Sequence, residues 1–144
     1  MFHRILISLS AAVLIGCGGG GAEDGASAPA MSDPAAQMTS MERGAILYKR
    51  CRACHTLGQG ERNKVGPNLW GMFGRTAGTR EDFNYSSAMA GSGVVWTDET
   101  VSGYIERPSQ YMPGNRMSFA GLHKPEDRAA LIEYLRANTG AGGP

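Results

Sequence analysis

The stretch Cys51-Arg52-Ala53-Cys54-His55 brings two thiols and an imidazole together within five consecutive residues. If this segment is helical, a spacing of three places both thiols on one face, and His55 lies beside them at a spacing of four. Each thiol can then add across one vinyl group of a haem, and the imidazole can reach the iron from the proximal side. CxxCH is the attachment signature for c-type haem, so we expect one haem c, bound covalently through Cys51 and Cys54.

Two other uses of paired cysteines fit the chain less well. A structural zinc site needs four ligands, usually from a second CxxC or a distant pair of histidines. Outside the motif, the cysteines and histidines of the chain are Cys17, His3 and His123. A thioredoxin-like dithiol belongs in a βαβ context, whereas the sequence around the motif has a helical and glycine-rich pattern.

The N-terminal residues have the pattern of an exported lipoprotein. A short basic segment precedes an apolar run at 5–15, which is typical of a secretory signal. The run has about 11 residues and is too short to span a bilayer, which needs about 20. Leu14-Ile15-Gly16-Cys17 resembles a bacterial lipobox, so we expect a signal peptide at 1–16 and a lipid on Cys17. The alternative is an ordinary signal peptide, cleaved a few residues later, with a chance cysteine.

Residues 17–38 are predicted to be a flexible tether. Small residues and proline dominate residues 18–37, in which the largest aliphatic side chain is that of Met31. Such a composition cannot bury enough apolar surface to offset the entropy lost on ordering. A flexible linker of roughly 20 residues typically reaches on the order of 25 Å. The remaining residues, 39–144, have a normal size for a single domain.

Local signals predict three helices in this domain. Thr39-x-x-Glu42 is a capping box that opens a helix running into the CxxCH motif. Thr97, followed by two acidic residues, opens a second helix that Pro108 stops. The last helix begins at Pro125, has acidic residues in its first turn and ends near Gly140.

The stretch between the first two helices, 58–93, is rich in glycine, and one turn of helix is expected at Asn68 to Phe73. No alternation of apolar and polar residues is long enough to indicate a sheet. We therefore predict an all-α domain with long loops. A loop of this length is unusual in a small domain, but a bound haem gives it a core to pack against.

The segment from about Gly44 to Thr139 resembles the class I cytochromes c, in particular the mitochondrial and bacterial cytochrome c2 branch. The resemblance implies the cytochrome c fold, with N- and C-terminal helices packed together and loops around the haem. The matching blocks, in order, are 51–56, 64–69, 71–75, 83–85, Trp96, Tyr104, Pro108, 111–114, Met117, 119–121 and the pattern Leu131-Ile132-x-Tyr134-Leu135.

The second iron ligand is not decided by composition alone. Met72, Met89, Met112 and Met117 all follow the haem motif, and methionine is more often core filler than ligand. Met117 follows the Pro113-Gly114 turn on a loop before the last helix, and the resemblance implies that it is the ligand. His123 is the alternative, which would give ligation by two histidines.

The resemblance also implies roles for residues around the haem. The carbonyl of Pro67 accepts a hydrogen bond from His55 Nδ1, which fixes the tautomer of the ligand. The Tyr104 hydroxyl donates to the methionine sulfur. The propionate partners are Arg75, Tyr85, Trp96 and Asn115, and Phe119 belongs to the haem environment. Met112 stands where the family has an aliphatic residue, and Met89 stands where the family often has a polar one.

Histidine and methionine ligands leave no open iron position, so we expect a carrier of single electrons and no enzyme. The alternative is a haem enzyme, or a gas or peroxide sensor, with a five-coordinate iron. Of 14 basic and 13 acidic residues, one basic and three acidic precede residue 39, which leaves a mildly basic domain. Its predicted docking cations are Arg50, Lys64, Arg116 and Lys124.

These charges predict docking on acidic redox proteins, with a cytochrome bc-type donor and an oxidase or reductase acceptor implied by the resemblance. We expect a monomer, lipid-anchored on the periplasmic side of a bacterial membrane. Nucleic acid is not expected, because the basic residues are not interleaved with stacking aromatics.

Overall fold

The structure is a computed structural model that describes residues 38–140. The expected signal peptide, Cys17 and nearly all of the expected tether lie outside the described residues. Within 38–140 no helix is long and apolar enough to cross a membrane. The helices are α1 (Ser40–Tyr48), α2 (Ser87–Ala90), α3 (Asp98–Glu106), α4 (Pro108–Tyr111) and α5 (Pro125–Asn138). The described residues form no strand, only one isolated antiparallel bridge between Thr76 and Val95, so the all-α prediction is confirmed.

Helix α1 begins at the predicted capping box. The Thr39 side chain accepts a hydrogen bond from the Glu42 amide at 3.2 Å, and the Glu42 carboxylate accepts one from the Thr39 amide at 2.9 Å. These contacts satisfy two amides that a helix N-terminus otherwise leaves without partners. The helix ends at Tyr48, and hydrogen-bonded turns continue the chain into the CxxCH motif, where we expected helix.

Helices α1 and α5 pack tightly against each other. A Cβ atom at Gly44 would lie 2.2 Å from the Ala130 carbonyl oxygen and 2.6 Å from Tyr134 Cβ, so the crossing requires glycine. Arg43 of α1 also pairs with Asp127 of α5 at 2.5 Å. The apolar face of α5 contributes Leu131, Ile132 and Leu135 to the main core. This packing joins the first and last helices of the domain, and the long loops lie between these helices in the sequence.

The expected turn of helix at Asn68 to Phe73 was wrong. The segment forms successive turns instead. The buried Asn68 side chain accepts a hydrogen bond from the Trp70 amide at 2.9 Å, and Gly71 has a φ of 62°. An asparagine side chain that bonds the backbone two residues ahead competes with helix, and a left-handed glycine ends any helical run.

Two short helices were not predicted. Helix α2 lies within the glycine-rich stretch, where the Ser86 side chain accepts from the Met89 amide at 3.2 Å. Pro108 stops α3 as expected, but it also opens α4 as its first residue. Proline is favoured at that position because its missing N–H has no helical partner to lose.

Candidate haem-attachment site

The CxxCH motif is wound into a single hydrogen-bonded turn. The His55 amide donates to the Cys51 carbonyl at 2.9 Å, and the Cys54 amide donates to the same oxygen at 3.0 Å. The Tyr48 hydroxyl donates to the His55 carbonyl at 3.0 Å, which fixes the turn against α1. Both thiols are free and half-buried, and burial raises the pKa of the Cys51 thiol. The turn therefore holds two unpaired thiols beside one imidazole.

The His55 imidazole is oriented by the loop that follows the motif. Its Nδ1 atom lies 2.8 Å from the Pro67 carbonyl oxygen. Nδ1 must carry the proton there, because a carbonyl can only accept. Burial lowers the pKa of His55, while the hydrogen bond to Pro67 acts in the opposite direction. Burial thus favours a neutral ring whose Nε2 lone pair is available to a metal.

Close packing of Gly66 against His55 confines the ring further. A Cβ atom at Gly66 would lie 2.4 Å from His55 Cε1 and 2.8 Å from both ring nitrogens. The Gly66 amide donates to the Cys54 carbonyl at 2.8 Å, which joins this loop to the motif. Gly66 lies in a block that resembles the family, but its contact with His55 could not be predicted because the contact depends on how the loop folds back.

Two apolar clusters meet at this site. The first is buried around Phe73 and Leu131, and Cys51 and Phe119 pack against it. The second is buried around Met89, Tyr104 and Met112, with Tyr85 and Met117 packed against it. Trp96 and Ile105 pack against both clusters. Cys51 and the predicted ligand Met117 therefore pack against two clusters that are linked by Trp96 and Ile105.

Arg75 and Trp96 are held side by side by the backbone. The Trp96 amide donates to the Arg75 carbonyl at 3.0 Å, and the Gly74 amide donates to the Trp96 carbonyl at 2.8 Å. The half-buried Arg75 guanidinium donates to the Trp70 carbonyl at 3.3 Å, and no carboxylate pairs with it among residues 38–140. Burial lowers the pKa of Arg75, so an anion beside it would offset the cost of burying its charge.

The residues present fit a c-type haem. Two free thiols and a neutral imidazole supply the attachment points, and apolar side chains supply a surface for the macrocycle. Arg75 supplies a cation that no carboxylate of residues 38–140 pairs with. Tyr85, which the resemblance places beside the propionates, is half-buried, with its ring 4.9 Å from that of Phe83.

The loop that contains Met117 is organised by Asn115, a residue that we expected to contact a propionate. Asn115 Oδ1 accepts from the Tyr104 hydroxyl at 3.2 Å and from the Met117 amide at 2.8 Å. Its Nδ2 group donates to the carbonyls of Pro108 and Met112, both at 2.8 Å. The Tyr104 hydroxyl, expected to donate to the methionine sulfur, thus donates to the Asn115 amide oxygen. Within 38–140 no hydrogen bond to that sulfur is found.

The four candidate methionines lie in different environments. Met72 is buried in the first cluster, Met89 and Met112 are buried in the second, and Met117 is half-buried at the edge of the second. His123 is exposed. Met117 is therefore the least enclosed of the four methionines.

A family model described as Cytochrome c matches residues 41–139. The chain belongs to the cytochrome c family. It is 48% identical over 99 residues to a cytochrome c of Stellaria longipes, across 68% of this chain and 92% of the relative. It is also 48% identical over 96 residues to a cytochrome c2 of Agrobacterium tumefaciens, across 65% of this chain and 86% of the relative. A cytochrome c homolog of Bradyrhizobium diazoefficiens matches at 42% identity over 122 residues, which cover 82% of this chain and 66% of the relative.

Membership of the cytochrome c family confirms the predicted fold and cofactor. This class I cytochrome c binds haem c covalently through Cys51 and Cys54. It is a monohaem electron carrier. The haem supplies the one-electron couple, and the protein residues attach it, orient the imidazole and set its surroundings.

Proposed function

We propose that this protein carries single electrons between membrane-bound redox complexes through an iron ligated by His55 and Met117, without turning over a substrate. The proposal is supported by the surroundings of its two candidate iron ligands, His55 and Met117. Burial favours the neutral form of His55, and the Pro67 carbonyl orients its ring. Met117 packs at the edge of the second cluster, which shares Trp96 and Ile105 with the cluster that Cys51 packs against.

A thioether ligand suits an electron carrier for two physical reasons. It favours ferrous iron more than a second nitrogen ligand does, so it raises the reduction potential. It also fills the last coordination position, which excludes oxygen or peroxide from the iron. On this proposal Arg75 offsets the charge of the propionates, Tyr85 and Trp96 donate hydrogen bonds to them, and Phe119 packs beside the haem.

Docking on acidic partners is proposed from four exposed cations, Arg50, Lys64, Arg116 and Lys124. The Arg50 guanidinium lies 4.9 Å from the centre of the Phe119 ring, and Lys64 Nζ donates to the Arg52 carbonyl at 2.6 Å. Arg116 donates to the Asn84 carbonyl. Three of these cations are thus anchored within the protein, which reduces the entropy lost when a partner binds. The partners proposed are a cytochrome bc-type donor and an oxidase or reductase acceptor, met by a monomer.

Met117→Ala is expected to lower the reduction potential and to allow imidazole and carbon monoxide to bind the iron, because the thioether is removed and a coordination position opens. Potentiometry and absorption titration of the purified holoprotein measure both effects. Met112→Ala is the matched control, because it truncates a buried methionine of the same cluster. If Met112→Ala has these effects and Met117→Ala does not, the ligand is misassigned. Strong ligand binding by the wild-type ferric protein would favour an enzyme or sensor instead.

The proposal also places the protein in the bacterial cell envelope, anchored by a lipid on Cys17. Its support is the sequence pattern Leu14-Ile15-Gly16-Cys17. A single acyl chain gives only marginal attachment, while a lipoprotein cysteine carries more than one chain, and each buried CH₂ adds about 0.8 kcal/mol. On this proposal residues 17–38 link the lipid to the haem domain.

Wild-type protein is therefore expected to sediment with membranes and to resist a high-salt wash, since the attachment is hydrophobic. Cys17→Ser should release a soluble protein with an unchanged haem spectrum, or leave an uncleaved precursor. Fractionation and N-terminal analysis measure these results. A soluble wild-type protein beginning beyond residue 17 would show that the lipobox is a coincidence.

A further inference from the structure

We propose that Asn115 is a positioning residue that clamps the Met117 loop, and that the Tyr104 hydroxyl acts on the iron ligand through Asn115 and not through the sulfur. This inference rests on the proposed ligation by Met117. It assigns to Asn115 a role different from the propionate contact that the sequence suggested.

The hydrogen bonds of Asn115 account for its whole side-chain amide. An amide has two donor hydrogens and an oxygen with two acceptor sites. The oxygen accepts from the Tyr104 hydroxyl and the Met117 amide, and the nitrogen donates to the Pro108 and Met112 carbonyls. No capacity is left for a further partner. One side chain thus joins α3, the first residue of α4, the residue that follows α4, and the ligand loop.

The four contacts are not equally replaceable. The Pro108 carbonyl also accepts a hydrogen bond from the backbone amide of Met112 at 3.0 Å. The Met112 carbonyl likewise accepts one from the backbone amide of Asn115 at 3.1 Å. Within 38–140, however, Asn115 is the hydrogen-bond partner found for both the Tyr104 hydroxyl and the Met117 amide. Truncation of Asn115 would therefore leave those two donors without a partner at the edge of an apolar cluster.

The surroundings of Tyr104 favour a fixed hydroxyl. Its ring is buried, 5.2 Å from the ring of Trp96 and 5.9 Å from that of Tyr111, and burial raises its pKa to about 12. The hydroxyl is therefore a neutral donor throughout the physiological range. Met89 and Met112, in the same cluster, offer only weak sulfur acceptors. The Asn115 amide oxygen is the stronger acceptor within reach.

A double-mutant cycle on the ferric holoprotein tests the clamp, with imidazole as the competing ligand. Asn115→Ala should raise the imidazole affinity about tenfold, since two donors lose hydrogen bonds that keep Met117 in place. Tyr104→Phe should raise it by a smaller factor in the wild type and should have almost no effect in the Asn115→Ala background. The far-red absorption band of thioether-ligated ferric haem should weaken in parallel.

Tyr111→Phe is the matched control, because it removes a hydroxyl from a neighbouring ring for which no hydrogen-bond partner is found within 38–140; it should leave the affinity unchanged. Equal effects of Tyr104→Phe in both backgrounds would overturn the proposal and assign the hydroxyl to the sulfur. Wild-type affinity in Asn115→Ala would also overturn it. If Asn115→Ala does not fold, Asn115→Ser takes its place in the cycle. Failure of Met117→Ala to raise the affinity would instead reject the ligation itself.

Discussion

Replacing Cys51 and Cys54 together with alanine is expected to abolish covalent haem and to leave the domain unfolded. In a host with a cytochrome c maturation system, the wild type should keep all of its haem through acid-acetone extraction, and the double variant should keep none. Long loops, with few helices of their own, need the macrocycle as a packing surface, so loss of the haem removes much of the core. Far-ultraviolet circular dichroism should show loss of most of the helix signal.

The chain provides its own control for this experiment. Cys17→Ser removes the one other cysteine, and it should leave haem retention unchanged. Cys51→Ala alone should retain part of the haem through the remaining thioether. Complete extraction of haem from the wild type would contradict covalent attachment.

The elements that could be predicted from the sequence are those with local signals. Thr39, Thr97 and Pro125 lie at the starts of α1, α3 and α5, because side-chain caps and proline act within one turn of the backbone. The four-residue helices α2 and α4 have too few residues to produce a periodic pattern. The expected helix at 68–73 does not form, because the Asn68 side chain accepts from the Trp70 amide and so competes with helical hydrogen bonding.

In the candidate site, too, residues close in sequence could be predicted from local patterns, and contacts between distant segments could not. The thiols and His55 are adjacent in sequence, so their chemistry could be predicted from spacing alone. The contact between His55 and Pro67 needed the family resemblance, because it joins two segments across a loop. The role proposed for Asn115 could not be predicted, because its four partners come from α3, the start of α4, the residue after α4 and the ligand loop. Only the folded chain brings them together.

Gly66→Ala is expected to displace the proximal imidazole and to destabilise the folded holoprotein by about 3 kcal/mol. The added methyl would lie 2.4 Å from His55 Cε1, closer than any real contact allows. The loop cannot easily retreat, because its amide is bonded to Cys54 and proline follows at 67. Overpacking typically costs about 1–3 kcal/mol, and loss of the Pro67 hydrogen bond adds about 1 kcal/mol. Urea unfolding monitored at the haem band measures the change.

A displaced imidazole would also weaken the ligand field, so the ferric spectrum should gain a high-spin component that the wild type lacks. Gly91→Ala is the matched control: it adds the same methyl group at a glycine whose nearest neighbour is the Ser87 carbonyl oxygen, 3.2 Å away and distant from any imidazole. That variant should keep the low-spin spectrum and lose little stability. A wild-type spectrum and stability in Gly66→Ala would contradict the proposed confinement. Because Gly66 has no positive φ, an effect at this position reports the contact with His55 and not backbone strain.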